Sequence, residues 1–113
     1  MKLTINGQAI AVEMEDTTLG ESIRAMCPVT LDMVRSGDHE YYAALPKQAA
    51  ARGAVETDSV MRDHVYYFAA WNALALVFRD AEIAPYTVHF VGRADGMSEL
   101  LEHAGGKLRV TLE

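Results

Sequence analysis

The sequence has one cysteine, one tryptophan and three prolines in 113 residues, and fewer basic than acidic side chains, 10 against 16. A single cysteine, Cys27, cannot close an internal disulfide, which agrees with a reducing compartment. It falls just before Pro28 at the end of a predicted helix, where the negative end of the helix dipole disfavours a thiolate, so packing is its expected role. The four histidines, His39, His64, His89 and His103, lack the i, i+4 or Cys/His spacing of a zinc site, and neither a metal nor a cofactor is expected. A net charge of -6 opposes the phosphate attraction behind nucleic-acid binding. The longest apolar run, 65–78, is broken by Asn72 and falls short of the roughly 20 residues that cross a bilayer. No membrane partner is expected. The opening MKLTINGQAI has no apolar run of signal-peptide length, which makes the cytoplasm the expected location. Gly-x-Ser-x-Gly is missing, and Ser22, Ser36, Ser59 and Ser98 fall in helices or turns without an evident base. Gly105-Gly106 follows a helix instead of opening one, so no phosphate loop is present.

What is present is short alternation. Leu3 and Ile5, then Ile10, Val12 and Met14, flank Asn6-Gly7 and predict a β-hairpin. Thr18 with Glu21 three residues later reads as a capping box, and Leu19, Ile23 and Met26 place one apolar face on a short helix that Pro28 stops. Val29, Leu31 and Met33 lead into Ser36-Gly37-Asp38, and Tyr41, Ala43 and Leu45 lead out, a second hairpin. The following KQAAARGAVETD has no sustained period and reads as a mobile surface loop with one helical turn at 48–52. Residues 64–68 and 73–79 predict two strands joined by a corner through 69–72. In TVHFVGR, strict alternation puts Val88, Phe90 and Gly92 on one face and His89, Val91 and Arg93 on the other. MSELLEHAGG predicts a helix burying Met97, Leu100, Leu101 and Ala104, with Gly105 as its C-terminal cap. Leu108, Val110 and Leu112 form a last strand suited to pair with the first.

Seven or eight short strands, two short helices and no regular strand-helix alternation predict one domain, 1–113: a mainly β, closed antiparallel barrel with a helix at each end. The segments YYFAAWNALALVFRD, VHFVGRADGMSELLE and GGKLRVTLE then resemble the small prokaryotic cyclophilin-like domains. That family carries an aromatic-rich strand, a Pro-Trp-Asn-like corner, an apolar strand, a "VG+" strand, a short helix and a final strand. Ala70 stands where many relatives have Pro, and Phe78-Arg79 where an aromatic pair or Phe-Gly is common. The resemblance implies a cyclophilin-type barrel of about eight strands with two capping helices. True cyclophilins are peptidyl-prolyl isomerases that use an Arg in an "FHR" strand followed by "QGGD". The nearest counterpart here, Arg35, has neither element beside it.

Adjacent aromatics on a strand point to opposite faces, so at most half of Tyr41, Tyr42, Tyr66, Tyr67 and Phe68 can share a site. Glu13, Glu15 and Asp16 read as a solvated strand end. Trp71-Asn72 has two readings. As structure, Asn72 turns a corner at positive φ and Trp71 covers the barrel mouth. As function, Tyr67, Trp71, Asn72, His89 and Arg93 surround a shallow ligand-binding pocket there. The leading functional expectation is a binding module for a peptide or small metabolite, without catalysis. The alternatives are a divergent prolyl isomerase using Arg35, Arg79 or Arg93, and a structural subunit whose exposed aromatics serve a homo-oligomer or another partner.

Overall fold

Asn6 and Gly7 take φ of 50° and 81°, the left-handed pair that a two-residue hairpin turn requires. In the computed structural model, which describes residues 1–113, they join β1 (Lys2–Ile5) to β2 (Gln8–Ala11). β3 (Glu13–Met14) follows once Val12 has turned inward. The cap of α1 (Thr18–Arg24) is Thr17 and not Thr18: its Oγ1 accepts from the Gly20 amide at 3.0 Å. Thr17 is the last extended residue, with φ -134° and ψ 164°, and only from there can a side chain fold back onto the first turn. Leu19 and Ile23 are fully buried and Met26 packs against the same core.

β4 (Val29–Ser36) and β5 (Glu40–Ala44) form the expected second hairpin, with Arg35 opposite Tyr41. The expected helical turn at 48–52 is not formed. Its amides are taken by distant side chains instead: Ala49 N donates to Asn72 Oδ1 at 3.1 Å and Ala50 N to Ser22 Oγ at 3.1 Å. Two strands of two residues come next, β6 (Glu56–Thr57) and β7 (Ser59–Val60). β8 (His64–Phe68) runs through a 3-10 turn, Ala69–Trp71, into β9 (Ala73–Val77), and then come β10 (Ala81–Glu82) and β11 (Val88–Arg93). α2 (Met97–Glu102) and β12 (Lys107–Leu112) complete the chain. Gly105 is not the cap of α2. The helix ends at His103 with φ -103°, and Gly105 is outside the left-handed region.

The main sheet runs β2-β1-β12-β4-β5-β9-β8-β11-β3, with β6 on β11, and every pairing is antiparallel. Its two outermost strands, β2 and β3, are neighbours in the chain on either side of Val12. The sheet therefore curls into a nearly closed barrel whose seam is bridged covalently. The strands of four residues or more are eight, β1, β2, β4, β5, β8, β9, β11 and β12, within the seven or eight that the alternation predicts. The first and last pair as expected, Leu3 opposite Leu112.

Inside, Leu3, Ile5, Met33, Tyr41, Tyr67, Leu74, Leu76, Val110 and Leu112 are nearly or wholly excluded from water, each large apolar side chain contributing about 1.5–3 kcal/mol. The helices close opposite ends. α1 sits where β8 finishes, linked through Ser22 to the 46–55 segment that Asn72 holds. α2 sits where β8 begins, its Ser98 amide donating to Asp63 Oδ1 at 2.8 Å and its Ser98 Oγ accepting from the Asp63 amide at 3.1 Å.

A second, smaller core lies on the outer wall. Val60, Tyr66, Val77 and Val88 are buried together there, with Phe68, Ala81, Ile83 and Phe90 against them. Burial on both faces is why all five residues of β9 are buried and why its sequence shows no polar alternation.

Candidate outer-wall binding site

Asn72 takes φ 48° and ψ 46° at the end of the 3-10 turn, a left-handed conformation that Asn tolerates better than most residues. This directs its amide inward, beneath the barrel end. Its Oδ1 accepts from the Tyr67 hydroxyl at 2.6 Å and from the Ala49 amide at 3.1 Å, while its Nδ2 donates to the Lys47 carbonyl at 2.8 Å. Gln48 Nε2 donates to the same Tyr67 hydroxyl at 3.3 Å. Tyr67 has no exposed surface, and burial raises its phenol above the usual value against the hydrogen bond to the Ala49 carbonyl. Tyr67 and Asn72 thus form a knot that ties the 46–55 segment across the barrel end.

His89 and Arg93 do not share a face. β11 carries a bulge: Phe90 is opposite Tyr66 and Gly92 opposite Val65, leaving Val91 as an extra residue. Ahead of it His89 lies across from Tyr67, on the inner side, its Nδ1 buried without a hydrogen-bond partner. Beyond it Arg93 lies across from His64 on the outer side, paired with Glu13 at 3.4 Å and Asp95 at 3.1 Å. A Cβ on Gly92 would come within 2.6 Å of the Glu13 carbonyl oxygen, so the bulge is where β3 approaches most closely. Single-sequence alternation carries no mark of a bulge, apart from that glycine inside a strand.

Trp71 goes its own way. Its indole is 67% exposed and stacks on Phe68, with ring centroids 4.8 Å apart and planes 25° from parallel. Tyr86, 57% exposed, lies 6.1 Å from Phe68 across the same space. Between them opens a cavity of about 490 Å³ that begins at the rim turn and runs down the outer wall. Its floor is Ala73 and Ala75 of β9, where small side chains leave a depression beside Tyr42 of β5 and Phe68 of β8. The 82–88 segment makes the other wall with Ile83, Ala84 and Tyr86.

Polar groups are few in it: Ser36, His39, Glu40 and Glu82, with no Lys or Arg among the thirteen lining residues. Burial raises the Glu40 carboxyl above its usual value, against the influence of His39, whose Nε2 lies 2.9 Å from Glu40 Oε1. Three of the arginines are engaged elsewhere. Arg35 covers the Phe78 ring at 4.6 Å beneath α2, Arg79 pairs with Glu102 at 2.6 Å, and Arg109 with Asp32 at 2.9 Å.

Of the five residues expected around one pocket, Trp71 alone lines this cavity. Phe68, Tyr86 and the alanine floor, which do the most to shape it, were not among them. The exposed aromatics Trp71 and Tyr86 could not be linked from sequence, since 14 residues and two strands, β9 and β10, separate them.

Cys27 packs against the main core, its thiol donating to the Ile23 carbonyl at 3.5 Å. Burial pushes that thiol up, against the lowering effect of the N-terminus and Arg24, which agrees with the packing role.

Comparison with known proteins matches residues 3–113 to the model of the cyclophilin-like family. The chain belongs to that family. No curated protein and no solved structure matches it. Membership accounts for the nearly closed antiparallel barrel and its two helices in this cyclophilin-like chain. No helix in it is long and apolar enough to cross a membrane.

Proposed function

We propose that this cyclophilin-like chain is a binding module, without catalysis, that takes a small ligand or a single side chain of a peptide in the outer-wall cavity. One observation carries the reading: a tryptophan and a tyrosine stand exposed in a half-open, mostly apolar depression of about 490 Å³. That volume lies within the range of small-molecule sites, which combine apolar walls with a few orienting polar groups. Aromatic area supplies affinity here, and Ser36, His39, Glu40 and Glu82 supply orientation.

The isomerase reading ranks second. Stabilising a twisting prolyl amide calls for a donor or cation held rigidly at the carbonyl, and Arg35, Arg79 and Arg93 each have another partner away from the cavity. Trp71 is the chain's only tryptophan, so its emission reports on this cavity. Titration with N-acetylated amides of single apolar, aromatic and basic residues, and with small ammonium compounds, should give saturable quenching or a spectral shift for at least one class. A flat response to all of them would remove the binding reading, and a dimer in sedimentation with Trp71 shielded from iodide would favour the oligomer.

A further inference from the structure

Three features of the cavity bear on the sign of its ligand. Its ionisable lining consists of two carboxylates, Glu40 and Glu82, and one histidine, with no permanent cation. Phe68, Trp71 and Tyr86 all line it, Trp71 stacked on Phe68 and Tyr86 tilted toward Phe68 with centroids 6.1 Å apart, and aromatic faces carry the negative side of the ring quadrupole. The chain's own cations do not use those faces: the cation-π contacts are those of Arg35 and Arg79 with Tyr41 and Phe78, at the α2 end of the barrel. An anion would meet two carboxylates and three ring faces. A neutral ligand would use the rings alone, leaving Glu40, whose side chain is only 22% exposed, without a permanent cation beside it.

On the basis of the binding reading above, we infer that the ligand is a small organic cation, an ammonium carrying alkyl groups, whose charge sits against the exposed aromatic rings of a cavity that Glu40 and Glu82 make acidic. Alkyl substitution fits the apolar floor of Ala73 and Ala75, which could not solvate a bare ammonium. Cation-π attraction strengthens as a site is desolvated, and a half-enclosed depression meets that condition better than open surface.

The test uses two probes of the same shape, choline and its uncharged carbon isostere 3,3-dimethyl-1-butanol, titrated calorimetrically and by Trp71 fluorescence. Choline should bind at least tenfold more tightly than the isostere. Glu82→Gln, a change at an exposed side chain, should reduce that preference several-fold, and Trp71→Ala should weaken both. Equal affinity for the two probes would overturn the inference while leaving the binding reading in place. Failure of both to bind would also overturn it, and a response to the neutral amides of the preceding titration would then show that the cavity binds something else.

Discussion

Trp71 and Asn72 adjoin in the chain and serve opposite sides of the wall. Asn72, turned under the barrel end, spends every polar atom of its side chain on Tyr67, Ala49 and Lys47. Trp71, one peptide earlier, touches Phe68 and otherwise faces solvent. The left-handed step at Asn72 is what separates them. The inner side of this corner holds distant segments together, and the outer side is left free of structural work, which is the condition a binding surface needs.

Substitutions on the inner side should therefore move stability, and substitutions on the outer side should move binding. The largest effect belongs to Asn72→Ala, which removes four side-chain hydrogen bonds, leaves the buried Tyr67 hydroxyl only its longer 3.3 Å contacts with Ala49 and Gln48, and puts Ala at positive φ. A loss of about 2–4 kcal/mol is expected from urea unfolding. A loss under about 1 kcal/mol would mean that the knot is not what fastens the 46–55 segment. Gly92→Ala comes next at about 1–3 kcal/mol, since the new methyl would press on the Glu13 carbonyl and either β3 or the bulge must yield.

Asp63 sets a pH limb. Desolvation opposes its ionisation, but hydrogen bonds from the Ser98 hydroxyl and backbone win and hold its carboxyl below the ordinary 3.8. A depressed acid contributes stability that is complete above its unfolded value and is lost as pH falls through the folded one. Urea midpoints should decline below about pH 4, and Asp63→Asn, which keeps a residue tolerant of its φ of 65°, should flatten that decline. An unchanged acid limb in the variant would assign the decline to other carboxylates. Trp71→Ala should alter stability least, within about 1 kcal/mol, because only its stacking on Phe68 is lost.

The same division explains how much the sequence disclosed. Features encoded by neighbours were readable: the Asn6-Gly7 turn, both hairpins, the β8-corner-β9 unit with Asn72 at positive φ, and the apolar faces that predict a barrel. Features made by distant residues were not. The 46–55 segment looks like a free loop because its amides are satisfied by Asn72 and Ser22, more than 20 residues away. One extra residue in β11 separated His89 from Arg93. β6, β7 and β10, two residues each, are too short to show any period, yet they accompany the outer core next to which the cavity forms. Trp71 was identifiable as a rim residue because it is the lone tryptophan beside a turn signal. Its partners Tyr86, Ala73 and Ala75 have ordinary local contexts and gain meaning only when the wall curls.

The claim that ligand meets the outside of this barrel and not its interior is tested most directly by mapping amide and indole resonances of the labelled protein during titration with any compound that perturbs Trp71 fluorescence. The account predicts shifts concentrated on Phe68, Trp71, Ala73, Ala75 and Tyr86, with Tyr67, Asn72 and His89 little affected. Shifts centred on Tyr67, Asn72 and His89, with the outer wall silent, would contradict it.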